Sequence, residues 1–235
     1  MNKAFFILSV FLISQTINGC DNLRNRSCTD LLKRYNEISL DIKSRTDTTL
    51  LLNVLGKILS KYPQCVDAYL IRGDLFFTNG NSKRAHFDYN TAILYDRNNV
   101  YAYYKLGLLC QEGESYDSSI YFLQTAINLK TDNGWIVDFH HLKKDVQTRS
   151  NEYDVTAVSL FYSHGISSYY RRSLTVAFKD FDFCIRSSYR VEKCYLFRGA
   201  IYEESNKHDS ACNDFTMAKL YGNKEADGYL KRYCH

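Results

Sequence analysis

The stretch Tyr69-Leu70-Ile71-Arg72-Gly73 occurs in four related copies, and their spacing decides the fold. Residues 103–107 (YYKLG) repeat it 34 positions later, and residues 161–165 (FYSHG) and 195–199 (YLFRG) form a second pair with the same separation. The two pairs are further apart, because Gly107 and Gly165 are separated by 58 positions, one period plus 24. A constant period of this length indicates an array of repeated structural units.

Small and large residues follow each of these glycines at constant distances. A small residue comes twelve positions later, a large apolar one four positions after that, and a second small one three further on. Because antiparallel helices approach closely only where small side chains lie at the crossing, this order predicts packed helix pairs. The large residue then fills the gap toward the neighbouring repeat. The three sets are Ala85, Ser119, Ala177 and Ala211; Tyr89, Leu123, Phe181 and Phe215; and Ala92, Ala126, Cys184 and Ala218.

This pattern resembles the tetratricopeptide repeat, whose period is 34 and whose small and large positions follow the same order. The resemblance implies an all-α fold, a right-handed helical solenoid of antiparallel helix pairs. Residues 66–133 and residues 158–224 each match two repeats. Residues 20–65 match an N-terminal segment and a degenerate cap repeat, and residues 225–235 a C-terminal capping helix. Such a helix covers the last apolar face of a solenoid.

Residues 134–157 match no part of the repeat and are interpreted as an insertion or linker between the repeat pairs. This segment contains Trp135 and His140-His141, the one cluster of metal-ligand residue types in the sequence. Consecutive histidines point in different directions on a helix or a strand, so they seldom bind one metal together. We also find no phosphate-binding glycine loop and no nucleophile elbow. The sequence therefore predicts no catalytic residue, no metal and no cofactor.

The N-terminal residues 1–19 are predicted to be a signal peptide. A positive residue, Lys3, precedes an apolar core that is too short to cross a bilayer, which needs about 20 residues. The sequence Ile17-Asn18-Gly19-Cys20 resembles the lipobox of bacterial lipoproteins, which implies lipidation at Cys20. Asn18 departs from that family's preference for a small residue, and ordinary cleavage near Gly19 is the alternative. Either way we expect an exported protein, lipid-anchored on the periplasmic or surface face, or secreted if Cys20 is not lipidated.

Eight cysteines in an exported chain predict disulfide bonds, because such compartments are usually oxidising. No two of them form a Cys-x-x-Cys motif. Tetratricopeptide geometry brings the terminal helix beside the second helix of the last repeat, which implies one bridge there. The expected pairs are Cys212 with Cys234, then Cys184 with Cys194, and Cys28 with Cys65.

The resemblance also implies a binding groove, lined by inward-facing positions of the first helix of each repeat. Tyrosine is abundant there, and it provides a large rigid contact area with a polar tip. We therefore expect a protein or peptide partner and no small-molecule substrate, although these rings could instead pack against the insertion. With 30 Lys and Arg against 26 Asp and Glu, and no long basic run, we expect no nucleic-acid partner. The groove candidates are Phe77, Tyr101, Tyr104, Tyr162, Tyr169 and Tyr170.

Three hypotheses of function remain open at this point. The first is a non-catalytic, membrane-tethered scaffold that binds a peptide or helix in its groove. The second is a structural subunit of a cell-envelope assembly, with the groove permanently filled by one partner. The third is an enzyme whose site is built by the insertion, residues 134–157. Scattered histidines such as His164 are interpreted as tolerant positions on helix surfaces.

Overall fold

The computed structural model describes Cys28, residues 48–132 and residues 155–234. The predicted signal peptide, Cys20 and the insertion residues Trp135 and His140 lie outside the described residues. In the described part of the chain there are ten α-helices and no β-strand. The helices are α1 (Thr48–Lys61), α2 (Val66–Thr78), α3 (Ser82–Tyr95), α4 (Val100–Glu112), α5 (Tyr116–Asp132), α6 (Ala157–Tyr170), α7 (Leu174–Arg186), α8 (Val191–Glu204), α9 (His208–Leu220) and α10 (Ala226–Tyr233).

The chain divides into two compact units, residues 1–97 and residues 98–235. The first unit contains α1 and the antiparallel pair α2 and α3. The second contains the pairs α4 with α5, α6 with α7, and α8 with α9, followed by α10. Each predicted repeat is thus one helix pair, and the all-α repeat fold is confirmed. None of the described helices is both long enough and apolar enough to span a membrane.

In the first unit, α1 corresponds to the second helix of the degenerate repeat. Helix α1 buries Leu55 and Ile58 completely or almost completely, and it packs against α2. The chain turns at Pro63, whose carbonyl accepts a hydrogen bond from the Tyr69 hydroxyl at 3.0 Å. Cys28 is joined to Cys65, the residue before α2, by a disulfide bond with a Cα–Cα distance of 6.1 Å.

The two helices of every pair are connected by the same tight turn. One residue in each connection has positive φ: 72° at Gly80, 56° at Glu114, 68° at Arg172 and 55° at Asn206. These four positions are equivalent in the repeat, although only the first holds a glycine, the residue that adopts this conformation most readily. The left-handed residue ends the first helix abruptly, so the second helix folds back antiparallel to it.

The two helices of a pair approach each other closely at the repeat glycines. A Cβ atom added to Gly73 would lie 2.7 Å from the Tyr89 ring, and one added to Gly199 would lie 2.7 Å from the Phe215 ring. The large residue therefore packs directly onto the glycine of its own repeat. It also reaches the next helix: the Phe215 ring centroid lies 5.0 Å from that of Tyr229 on α10.

An arginine or histidine side chain pairs with an aspartate beside this contact in three of the four repeats. The Arg72 guanidinium donates to both carboxylate oxygens of Asp88, at 2.7 and 2.8 Å. Arg198 does the same to Asp214. The histidine at the equivalent position, His164, was expected on a helix surface, and this expectation is wrong. It is 5% exposed and pairs with Asp180 at 2.7 Å.

Helices α5 and α6 pack together although 24 residues separate them in the chain. Leu123 and Ile127 of α5 share one apolar cluster with Leu160 of α6 and with Val155, which precedes that helix. The insertion thus interrupts the sequence period without interrupting the packing. Its predicted last residues belong to the core, because Val155 is buried and α6 begins at Ala157.

The other described cysteines lie in the second unit. Cys212 of α9 and Cys234 after α10 are joined by a disulfide bond, with a Cα–Cα distance of 5.6 Å. Cys184 and Cys194 are free thiols, in contrast to the expected bridge. Each sulfur donates instead to a backbone carbonyl, at 3.7 Å to Val158 and at 3.5 Å to Tyr189.

Replacing Gly199 with alanine tests the close approach of the helices. The added methyl group overlaps the Phe215 ring, so we expect the free energy of unfolding to fall by about 1–3 kcal/mol. Gly228 is the matched control, because it lies in a helix of the same unit and nothing is within 4 Å of its added Cβ. Gly228→Ala should stabilise by up to about 1 kcal/mol, since alanine is the better helix former. Urea unfolding followed by circular dichroism measures both, and equal effects would refute the packing model.

Candidate binding surface

Tyr162, one of the expected groove residues, lies in the core of the second unit. It is 9% exposed and belongs to a cluster with Phe181, Cys184 and Cys194. The guanidinium of Arg190 lies 5.5 Å from its ring centroid, and burial raises the pKa of its hydroxyl. Side chains of the protein itself therefore cover the Tyr162 ring, so the structure does not support its assignment to the groove.

Tyr101 and Tyr104 on α4 are partly buried. Both pack against the apolar cluster that joins α5 to α6, and each keeps part of its surface exposed. Burial raises the pKa of the Tyr104 hydroxyl, so this group stays protonated at neutral pH. Phe77 is half-buried on α2 and belongs to the other unit.

The remaining candidates, Tyr169 and Tyr170, lie in an aromatic cluster at the end of α6, where Tyr169 is half-buried and Tyr170 is exposed. The Tyr170 side chain is 51% exposed, and its ring stacks on Tyr116 at 5.2 Å with an interplanar angle of 15°. The Tyr169 ring meets Tyr170 edge-on at 5.5 Å and Phe197 of α8 edge-on at 5.3 Å. We call this cluster of Tyr116, Tyr169, Tyr170 and Phe197 the tyrosine edge.

Buried hydrogen bonds hold the helices that carry the tyrosine edge. The Gln111 side chain of α4 donates to the Ser163 carbonyl at 3.2 Å and to the Ser167 hydroxyl at 2.8 Å. The Ser119 hydroxyl of α5 lies 2.8 Å from Ser167 and donates to the Gly107 carbonyl at 2.8 Å. This network connects α4, α5 and α6 within one turn of Tyr116 and Tyr170. The stacked rings thus lie near a network that joins the helices carrying them.

Charged side chains surround the tyrosine edge. Arg171 pairs with Asp117 on α5, and Arg172 pairs with Glu204 on α8 at 2.7 Å. The Tyr169 hydroxyl also donates to Glu204, at 3.4 Å. Burial, together with this carboxylate, raises the pKa of Tyr169 to about 12, so the hydroxyl remains a hydrogen-bond donor at neutral pH.

The described residues show no constellation for catalysis or metal binding. No group of three His, Cys, Asp or Glu side chains among them could hold a metal ion. Burial raises the pKa of the Cys110 thiol, whereas a nucleophilic cysteine needs a lowered pKa. His164 is buried with Asp180 as part of the repeat packing. The chemistry available at the tyrosine edge is contact, stacking and hydrogen bonding.

Two members of the tyrosine edge were missed from the sequence. Tyr116 stands in the first turn of a second helix, and Phe197 is next to an inward-facing position of α8, so neither falls on the positions that line a groove in the family. The aromatic identity of both was visible in the sequence. Their contact with Tyr170 depends on the packing of three helices, which periodicity alone does not specify.

Comparison with known proteins identifies the fold. No protein-family model matches the sequence, and no curated protein matches it. A crystal structure of MamA is 19% identical and matches with a TM-score of 0.63, over 85% of this chain and 96% of that one. YrrB, described as a TPR protein with an unusual peptide-binding site, is 14% identical, with a TM-score of 0.64 over 88% and 98%. For pilF of Pseudomonas aeruginosa the values are 16% and 0.60, over 88% and 93%. These likenesses show an all-α tetratricopeptide-repeat fold.

The different environments of Tyr162 and Tyr170 can be tested by truncation. Tyr162→Ala should lower the free energy of unfolding by about 3 kcal/mol or more, because it leaves a cavity in the core. Tyr170→Ala removes one exposed stacking contact, so it should cost only about 1 kcal/mol. Urea unfolding of the two variants beside wild type measures the difference. Similar losses in both would show that Tyr170 is a core residue.

Proposed function

We propose that this protein is a non-catalytic interaction scaffold and that the tyrosine edge is the surface that binds a protein or peptide partner. The observation that carries the proposal is the exposed ring of Tyr170, which stacks on Tyr116 while a hydrogen-bond network joins the helices that carry the two residues. Rigid, partly exposed tyrosines bury a large area on binding and lose little conformational entropy. The exposed part of such a ring contributes less to the stability of the free protein than it would contribute to binding when a partner covers it.

The fold and the neighbouring side chains support this proposal. Tetratricopeptide repeats present the faces of their first helices side by side, and YrrB, with the same fold, has a peptide-binding site according to its description. In this chain the half-buried rings of Tyr101 and Tyr104 on α4 would extend the contact beyond the tyrosine edge. We therefore propose an extended peptide or a single helix as the bound element.

The alternative is a structural subunit of a cell-envelope assembly, in which one partner covers the same surface permanently. The two proposals differ in the state of the protein in native membranes. A scaffold should be recovered partly without its partner, whereas a subunit should co-purify with one chain at a constant ratio. The third hypothesis, an enzyme whose site is built by residues 134–157, concerns a segment of which residues 134–154 lie outside the described residues.

We further propose that the protein is exported and anchored through a lipid on Cys20, as the Ile17-Asn18-Gly19-Cys20 sequence suggests. Changing Cys20→Ser should then abolish incorporation of a labelled fatty acid and release the protein from membranes. Fractionation and metabolic labelling measure both effects. If wild-type protein is itself soluble and unlabelled, cleavage near Gly19 without lipidation is the correct reading.

Partner capture tests the proposed surface. Crosslinking and affinity purification from native membranes should recover a partner with wild type, and Tyr170→Ala should reduce the recovery about tenfold or more, as for a central interface aromatic. Tyr121→Ala is the matched control, because Tyr121 is 65% exposed on α5 of the same unit and lies outside the tyrosine edge. Equal capture by wild type and Tyr170→Ala would place the binding surface elsewhere.

A further inference from the structure

One position of the repeat distinguishes the helix pair α6–α7 from its neighbours. In three pairs the residue before the repeat glycine bonds an aspartate 16 positions later, and in α2–α3 and α8–α9 this residue is an arginine. In α6–α7 it is His164, which bonds Asp180. A guanidinium stays charged at any physiological pH, whereas an imidazole changes its charge between about pH 5 and 8. Of these three bonds, the one in α6–α7 therefore has a cation that can lose its charge.

The bond between His164 and Asp180 is buried where α6 crosses α7. The two side chains are 6% and 8% exposed, and Nδ1 of the histidine lies 2.7 Å from Oδ2 of the aspartate. The helices are close at this point, because a Cβ atom added to Gly165 would lie 3.0 Å from the Cβ of Asp180. In the described part of the chain His164 is the hydrogen-bond partner of the Asp180 carboxylate. Since a buried carboxylate is costly without a partner, its stability depends on this one imidazole.

The polar side chains that the surrounding helices bring toward α6 and α7 are neutral or already paired. They are Gln111 and Tyr104 of α4; Ser119 and Asp117 of α5, the second paired with Arg171; Arg198 of α8, bonded to Asp182 and Asp214; and Arg186 and Cys184 of α7, the first paired with Asp182. The pKa of the Cys184 thiol is raised by its contact with Cys194, by burial and by the charge of Asp180, so this group stays neutral. The pair of His164 and Asp180 is therefore the group among them that can gain or lose a proton near neutral pH.

The direction of the pH effect follows from the burial of this pair. Burial raises the pKa of Asp180, although the hydrogen bond and the charge of His164 lower it. A carboxyl whose pKa is raised in the folded state keeps a proton that the unfolded chain has released, so the folded protein loses stability as pH rises. A charged imidazole beside a carboxylate acts in the same direction, because the ion pair is lost when the ring releases its proton to solvent. The two groups are hydrogen-bonded and titrate as one unit, so their contribution is present at acid pH and lost as pH rises.

We propose that α6–α7 is a pH-sensitive helix pair, held by a charged bond between His164 and Asp180 at about pH 5 and loosened at about pH 8, where a neutral ring faces a buried carboxylate. The pairs α2–α3 and α8–α9 have an arginine in the same place and keep their charge over this range. The inference does not depend on the proposed function. Helix α6 carries Tyr169 and Tyr170, however, so the tyrosine edge would be held less firmly at the higher pH.

Urea unfolding of the full-length protein between about pH 5 and 8 tests the proposal, with His164→Arg and His164→Gln measured beside wild type. Neither replacement titrates in this range; the first copies the neighbouring repeat and the second keeps a neutral hydrogen-bond donor. Relative to either variant, the unfolding equilibrium constant of wild type should rise about three- to tenfold from the lower pH to the higher. The matched control is His208→Gln, because His208 also pairs with a carboxylate but is 59% exposed. This control should keep the pH dependence of wild type within about twofold.

Hydrogen exchange followed by mass spectrometry locates the effect in the molecule. After correction for the intrinsic exchange rate at each pH, the protection of amides in α6 and α7 should fall about three- to tenfold more than in α8 and α9. In His164→Arg the two helix pairs should lose protection equally. Parallel urea profiles for wild type and both His164 variants would overturn the proposal, and so would a wild-type stability that rises with pH relative to them. A loss of protection no larger in α6–α7 than in α8–α9 would also overturn it.

Discussion

The contact of one large side chain with the backbone of one glycine is the constraint on which the repeats depend. Tyr89, Leu123 and Phe215 each approach a position where even a Cβ atom would lie within 2.8 Å of them. The helices of a pair can therefore lie closer than ordinary side chains allow, and the large residue is buried completely. Phe181 stacks on Phe197 and Phe215 packs on Tyr229, each in the following helix, so the same residue joins one helix pair to the next helix.

This constraint explains why the sequence was sufficient to predict the helix pairs. A steric requirement that recurs at the same spacing leaves a visible period, and the degenerate repeat also buries Leu55 and Ile58, one period before Tyr89 and Ala92. The distance between helices along the chain was less informative about their packing. An insertion of 24 residues separates the repeat pairs in the sequence, yet Leu123 of α5 and Leu160 of α6 belong to one apolar cluster.

The candidate site was less predictable, because burial on one helix face depends on what the neighbouring helix offers. Tyr162 and Tyr169 lie on the same face of α6 and pack with the same apolar cluster, but Tyr162 is buried and Tyr169 is only partly buried. His164 shows the same limit. Asp88, Asp180 and Asp214 each precede the large side chain of their repeat. Their bonds to Arg72, His164 and Arg198 depend on the packing of the two helices of each pair.

Different residues pack the helices together and form the exposed surface, which explains how this fold can hold an exposed ring in place. The glycine contact and the bonds among Gln111, Ser119 and Ser167 hold α4, α5 and α6 without using Tyr116 or Tyr170. If the tyrosine edge is the binding surface, as proposed, both rings would be ordered before a partner binds, which would lower the entropy cost of binding. Because the core does not need these two rings, their replacement should then affect binding while the helix pairs remain folded. Replacing Tyr162, which lies in the core, would instead affect the stability of the helix pair as well as its surface.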